Sequence, residues 1–198
     1  MRIACLVLAA GRSSRMAPRN KLLESVGGET MVRRVAATAM ASGAEPVIVV
    51  TGHEAASVAG ALRGLDVTIV ANPDYADGLS TSLRAGLRAL PQGIDGALIL
   101  LGDMPRVEAS VLSALMAAFT GANAICVPVR HGRRGNPVLW GRSYFAEMMQ
   151  LHGDTGAKPL VARHEARLIE VEVATDSIFE DVDAPEDLER LKRSGAAS

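Results

Sequence analysis

The sequence predicts an α/β fold, a mostly parallel (mixed) sheet with helices on both faces. Three observations carry that expectation. Apolar, β-branched runs alternate along the chain with segments of helical periodicity. Most runs are apolar throughout rather than apolar at every second residue, as strands covered on both faces must be. The polar, glycine-bearing motifs follow the runs directly, at the strand ends where open α/β sheets bind ligands. With 198 residues, 48% of them hydrophobic, the pattern fits one domain over 1–193, with 194–198 as a frayed tail.

Taken in order, Ile3–Leu8 is the first expected strand. It empties into the polar, glycine-bearing loop 9–21. Met31–Ala41 has helical periodicity, and Gly43 can close it in a left-handed conformation. Val47–Val50 and Val67–Val70 are the next strands, followed by Gly52-His53 and by Asn72-Pro73. Ala55–Arg63 is a helix between them. Thr81–Ala89 is another, with Ser80 placed to accept from the first-turn N–H groups. Ala97–Leu101 and Ile125–Val129 are strands, separated by a helix over Glu108–Phe119. After residue 130 the pattern changes. A polar, glycine-rich break precedes the short apolar run Val138–Trp140. A helix-like stretch covers Ser143–Leu151, and Arg167–Val173 has strand character. The last helix starts near Pro185, which suits a first turn, with Asp183 as its N-cap.

Composition excludes several function classes. The net charge of −1 argues against a nucleic-acid binder. No stretch approaches the roughly 18 apolar residues of a membrane span. No secretory leader is evident either, so the expected setting is cytoplasmic. Cys5 and Cys126 lie in apolar runs and have no metal-ligand spacing. They are expected as reduced core thiols. His53, His131, His152 and His164 likewise show no zinc spacing, and Met16 and Met104 fit core or site-wall positions.

The residues with chemical potential gather at strand ends. Loop 9–21 carries Arg12, Arg15, Arg19 and Lys21 among small residues. Backbone N–H groups and fixed positive charge at one spot suit a nucleoside triphosphate. The loop is neither G-x-x-x-x-G-K-[ST] nor G-x-G-x-x-G. Leu101-Gly-Asp-Met-Pro105 ends a strand in the carboxylate of Asp103. Asp181-Val-Asp183 offers a second carboxylate. Mg²⁺ is held by one or two carboxylates with substrate phosphates and water, so Asp103 and Asp183 form a candidate metal pair. No Ser-His-Asp or Cys-His set is evident. That agrees with attack by an already ionised phosphate, where positioned cations stabilise the developing charge. Gly135-Asn-Pro-Val138 and Gly153-Asp-Thr-Gly-Ala-Lys158 are glycine-rich turns that permit close approach of a ligand.

Six motifs in order resemble the molybdenum cofactor cytidylyltransferase family, within the molybdopterin nucleotidyltransferases. They are Leu8-Ala-Ala-Gly-x-Ser-x-Arg-Met16 with Lys21, Gly78-Leu-Ser-Thr-Ser-Leu83, Leu101-Gly-Asp-Met-Pro105, Arg134-Gly-Asn-Pro-Val138, Gly153-Asp-Thr-Gly-Ala157 and Asp181-Val-Asp-Ala-Pro-Glu-Asp187. The resemblance spans Ile3 to about Leu191. It implies a Rossmann-like nucleotidyltransferase domain that couples CTP to molybdenum-bearing molybdopterin and releases pyrophosphate with Mg²⁺. It places Leu8, Ala9, Ala10, Gly11 and Arg12 on the nucleotide, and Arg15 and Lys21 on its triphosphate. Gly78, Ser80 and Ser82 would border the base. Asp103 and Asp183 would hold the metal, and Arg15, Lys21 and Asp103 would be the catalytic set. Asn136, Asp154, Gly156 and Lys158 would meet the acceptor, and a molybdoenzyme client is an implied transient partner. The chain departs from the family pattern in two places. Ala17-Pro18 stands where Gly usually follows Arg-Met. Lys158 stands where Arg is frequent, and Lys lacks the bidentate fork.

Other enzymes share parts of this pattern. They are guanylyltransferases of the same cofactor, methylerythritol phosphate cytidylyltransferases and sugar-phosphate nucleotidyltransferases. Guanylyl enzymes tend to show Gly at the position of Ala10, and the methylerythritol enzymes lack the Gly-Asp-x-Gly-Ala stretch. A non-catalytic molybdopterin-binding chaperone is the reading from a different class. The joint presence of Asp103, Asp183, Arg15 and Lys21 favours turnover over delivery alone.

Overall fold

β1 (Ile3–Ala9) has no polar residue and is buried along its whole length. Ile3, Cys5, Val7 and Ala9 pack into one core, and Leu6 and Leu8 into another. A strand with two apolar faces must be central and covered on both sides. The computed structural model describes residues 1–16 and 18–195. Ala17, of the Ala17-Pro18 departure, and residues 196–198 lie outside it.

In chain order, β2 (Ser25–Val26) and β3 (Glu29–Thr30) form a small hairpin that leads into α1 (Met31–Ala41). Then follow β4 (Val47–Thr51), α2 (Ala55–Ala61), β5 (Thr68–Ala71), α3 (Leu79–Arg88), β6 (Gly96–Leu101) and α4 (Ala109–Ala118). The second half holds β7 (Ile125–Arg130), β8 (Arg133–Arg134), β9 (Val138–Gly141), α5 (Phe145–Met148), α6 (Lys158–Arg163), β10 (Leu168–Glu172) and α7 (Pro185–Gly195).

The main sheet runs β10-β7-β9-β6-β1-β4-β5, with β8 paired to β7. β5, β4, β1 and β6 are mutually parallel, as are β7 and β10. β9 lies antiparallel between β6 and β7. The sheet is therefore mixed and mostly parallel, as expected. α1, α2, α4 and α7 bury Val35, Val58, Leu112 and Leu188 in the first core. α3, α5 and α6 bury Leu83, Met148 and Leu160 in the second. Cys5 and Cys126 are buried free thiols, and burial pushes them up to about 12 and about 11. They stay protonated at neutral pH, which fits a core role.

Four expectations are corrected in detail. The stretch 143–151 forms only a 3-10 turn and the single turn α5, because Tyr144 and Met148 alone on it are buried. α7 runs through Gly195, two residues into the stretch expected as a tail; Leu188 and Leu191 anchor the helix in the core. Asp183 does not cap α7. The carboxylate of Asp187 reaches back to accept from the N–H groups of Asp183 and Ala184, at 3.1 and 2.9 Å. Ser80 does not cap α3 either, because the helix starts at Leu79, two residues earlier than expected, and Gly78 holds the cap position. No helix among the described residues is long and apolar enough to cross a membrane.

Candidate functional site

The strand order reverses between β1 and β6, since β4 and β5 extend the sheet on one side and β6 on the other. Such a switch point opens a crevice beyond the carboxyl ends of its strands. The crevice here is bounded by the loop after β1 and by Gly102-Asp103 after β6. Gly102 is needed for close approach: a Cβ there would lie 3.0 Å from the Leu8 carbonyl oxygen. The Gly102 N–H donates to that same carbonyl at 2.9 Å, which continues the ladder one step and sets Asp103 against the basic loop. The Val182 N–H donates to the Asp103 carbonyl, also at 2.9 Å, and so draws 181–183 to the same edge.

The loop is pinned from within. Ser13 takes a left-handed φ of 49°. Its Oγ donates to Asn20 Oδ1 at 3.4 Å and accepts from the Lys21 N–H at 3.2 Å. Asn20 Oδ1 accepts from the Leu22 N–H at 3.1 Å, and Met16 is buried. These contacts join the two ends of the loop and aim Lys21 inward.

Lys21 Nζ donates to Asp103 Oδ2 at 2.7 Å and to Asp183 Oδ1 at 2.9 Å. Arg15 donates to the other oxygen of Asp183 at 2.8 Å. Two cations and two carboxylates thus form one chain, with Lys21 and Asp103 at its sheltered end. Burial pulls Lys21 down, but Asp103 and Asp183 together outweigh it and hold the ammonium above its ordinary value. Burial raises Asp103, with Lys21 opposing and Asp181 and Asp183 adding to the rise. The hydrogen bond from Lys21 holds Asp183 low, helped by Arg15 and opposed by its partial burial. Asp103 Oδ1 is buried and has no hydrogen-bond partner among the described residues. A buried carboxylate oxygen facing no donor is under-satisfied, and a cation meets that need. No group of three His, Cys, Asp or Glu side chains among the described residues could enclose a metal. Two carboxylates with open positions suit Mg²⁺ better than a dedicated cage, because substrate phosphates and water complete its octahedron.

Two cavities adjoin at this edge. The first, about 740 Å³, is lined by Leu8, Ala10, Gly11, Arg12, Arg15, Lys21, Ser82, Asp103 and Asp183. The second, about 500 Å³, is mainly apolar, with Trp140 and Leu83 in its wall and Arg134, Asn136, Gly156 and Lys158 among its polar or close-approach positions. Leu8, Leu79 and Leu101 line both and form the partition.

The expected residues therefore divide. The structure brings Leu8, Ala10, Gly11, Arg12, Arg15, Lys21, Ser82, Asp103 and Asp183 to the first cavity, and Asn136, Gly156 and Lys158 to the second. Ala9 instead packs into the first core, and Ser80 is fully buried. Gly78 abuts Gly153: a Cβ on it would lie 2.5 Å from the Gly153 carbonyl carbon. Asp154 lines the first cavity, not the second. Arg12 and Lys158 make no ion pair among the described residues, whereas Arg134 is held by Glu165 and Glu170.

Sequence reasoning did not single out Tyr75, Leu79, Asp181 or Trp140. Tyr75 lies between Asn72-Pro73 and the Gly78–Leu83 motif, Leu79 within that motif, and Asp181 two residues before Asp183. Trp140 had only its place in a short apolar run. Asn72 stands in the sequence only as a polar residue at a strand end. It is nearly fully buried, and its side-chain amide donates to Ser82 Oγ at 3.0 Å, which orients that hydroxyl at the first cavity.

Residues 5–168 match the family described as MobA-like NTP transferase domain. The chain is 30% identical over 200 residues to the purine catabolism protein PucB of Bacillus subtilis, covering 94% of each. It is 26% identical over 186 residues to the molybdenum cofactor cytidylyltransferase of Escherichia coli, covering 93% of each. It also matches the bifunctional protein GlmU of Micrococcus luteus, 32% identical over 122 residues, but spans only 24% of that protein's length. Among solved structures, a nucleotidyl transferase from Methanothermobacter superposes with a TM-score of 0.87 at 28% identity, over 99% of this chain and 98% of that one. A manganese complex of Rv0371C from Mycobacterium tuberculosis superposes with a TM-score of 0.82 at 30% identity, over 98% of this chain and 100% of that one.

Proposed function

The chain belongs to the family of MobA-like NTP transferase domains, and from that premise we propose that it transfers CMP from CTP to molybdenum-bearing molybdopterin and releases pyrophosphate. One observation supports this reading most: a cavity lined by cations and carboxylates shares a partition with an apolar, aromatic-walled cavity. The arrangement suits a nucleoside triphosphate on one side and a flat, phosphorylated acceptor on the other. Likeness to the Escherichia coli cytidylyltransferase over nearly the whole of both chains supports the same acceptor and base.

In the proposed reaction an acceptor phosphate oxygen attacks the α-phosphorus of CTP. The new P–O bond forms as the bond to the β-phosphate bridge breaks, and pyrophosphate leaves with its electron pair. The acceptor phosphate is already ionised at pH 7, so no general base is needed. Arg12, exposed and in no ion pair among the described residues, would receive the polyphosphate first. Lys21 would stabilise charge on the α-phosphoryl oxygens and the leaving group, with Arg15 beside it. Asp103 and Asp183 would hold Mg²⁺, which when bound neutralises phosphate charge. Asn136, Gly156 and Lys158 would meet the acceptor, Lys158 as a point charge for its phosphate. The product would pass to a molybdoenzyme client by transient contact.

Pyrophosphate release measured with each NTP and molybdopterin tests this reading. CTP is expected to exceed GTP and ATP in kcat/KM. Ala10 lines the first cavity and carries a methyl group where guanylyl relatives tend to have Gly, which in this reading disfavours the larger purine. A difference of one methyl group is worth roughly 10–200-fold. GTP preferred in side-by-side assays would overturn the cytidylyl assignment and leave nucleotidyl transfer standing. No turnover with any NTP would favour the chaperone reading.

Arg12→Ala and Arg15→Ala should each weaken all NTPs alike, by about 3–10-fold for a solvent-exposed phosphate contact. Calorimetric titration checks this. A loss confined to one base would move these arginines to the base.

A further inference from the structure

α3 begins without a side-chain cap of its own, since Gly78 occupies the cap position. Its first N–H groups are met from a distant segment. The Leu79 N–H donates to Asp154 Oδ1 at 3.2 Å, and the Ser80 N–H to the Gly153 carbonyl at 3.1 Å. Further along the same helix, Arg84 donates to the Leu151 carbonyl at 2.5 Å. Gly78, at a left-handed φ of 109°, lets the two backbones meet, because a Cβ there would also lie 2.9 Å from Asp154 Oδ1. A Cβ on Gly156 would lie 3.0 Å from Leu79 Cδ2, so the same loop packs on one of the three leucines that separate the cavities.

We propose that Asp154 is a positioning residue whose carboxylate ties the loop walling the second cavity to the first turn of α3. Its charge has the wrong sign to bind a phosphorylated acceptor or a polyphosphate directly. Its oxygen has the right place to accept from an otherwise uncapped N–H. The residues that follow it, Thr155 to Lys158, line the second cavity, while Leu79 lines both. The tie therefore sets the width of the second cavity against a helix that also borders the first. The inference rests on the reading of the second cavity as the acceptor's.

Asp154→Ala and Asp154→Asn, compared in the full chain, test it by two readouts. In the protein without substrates, Asp154→Ala should speed hydrogen exchange at the Leu79 amide by about 5–30-fold, the scale of removing a helix cap. Asp154→Asn should exchange like the wild type, because its side-chain oxygen accepts the same N–H. In turnover with molybdopterin, Asp154→Ala should raise the acceptor KM by a similar factor and move the nucleotide KM less than about 3-fold, and Asp154→Asn should restore it. Unchanged exchange at Leu79 in Asp154→Ala overturns the tie. Asp154→Asn failing in turnover as badly as Asp154→Ala, with exchange restored, overturns the positioning role in favour of a need for the charge. A wild type inactive with every NTP sinks the functional reading, and the exchange comparison still decides the tie.

Discussion

Asp103→Asn is expected to lower kcat by at least ~100-fold, the scale of losing one preorganised electrostatic stabiliser, while the protein stays folded and its melting temperature changes little. The two effects separate because the burial cost of Asp103 and its attraction for Lys21 oppose each other. Burial raises its pKa despite Lys21. A carboxyl raised on folding favours the fold only while protonated, and that contribution is lost as pH rises through the folded pKa. At neutral pH the ionised group carries that burial cost, but it also holds the Lys21 ammonium above its ordinary value, and the neutral amide gives up both. Lys21 keeps Asp183 as partner. The unpartnered Oδ1 would be replaced by a group of nearly the same shape that cannot ligate a cation with full charge. Thermal melts and pyrophosphate release on one preparation check both halves. Near-normal turnover in the folded variant would falsify the assignment of Asp103.

Lys21→Ala should cost both activity and stability. Its ammonium is the common partner of Asp103 and Asp183 and is largely sheltered, with 11% of the side chain exposed. Removing one member of a buried pair typically costs about 3–5 kcal/mol, because the other charge is left uncompensated. The lower end is expected here, since Asp183 is 43% exposed and can turn to Arg15 or solvent. The loss should shrink on acidification: without Lys21 nothing opposes the effect of burial on Asp103, so proton uptake there relieves the variant first. Turnover should fall by ~100-fold or more, and by a similar factor for every NTP. The double variant Lys21→Met, Asp103→Asn should recover much of the stability and none of the activity. A double variant no more stable than Lys21→Ala would show that the two groups are not coupled as their geometry indicates.

Much of the fold was legible from the sequence because its signals are local. β1 is apolar at every position, which only a strand covered on both faces tolerates. α1 runs over Met31–Ala41 as its periodicity predicts, and Gly43 follows it at φ 83°. The cavities stand at strand ends for a reason visible in the order of elements. Less legible were the segments whose local pattern fits two outcomes. A four-residue apolar run such as Val138–Gly141 does not state its direction, and it proved to be the antiparallel strand between β6 and β7. Ser80 and Asp183 carry cap-forming side chains, yet Gly78 takes one cap position and Asp187 serves the other helix.

The sequence by itself determined the mostly parallel sheet, its cover of helices on both faces, the basic loop after β1 and the carboxylate after β6. Each follows from residues adjacent in the chain, where hydrophobic periodicity and backbone preference act directly. The tertiary structure alone decided which distant groups share a site. It placed Lys21 between Asp103 and Asp183, left Arg12 without an ion pair among the described residues, and set Asp154 on the N-terminus of α3. Such pairings depend on strand order and on the path of the 181–183 segment past Asp103. No local pattern encodes them, because the free energy that fixes them comes from burial and hydrogen bonds between parts of the chain that meet only once the sheet has closed.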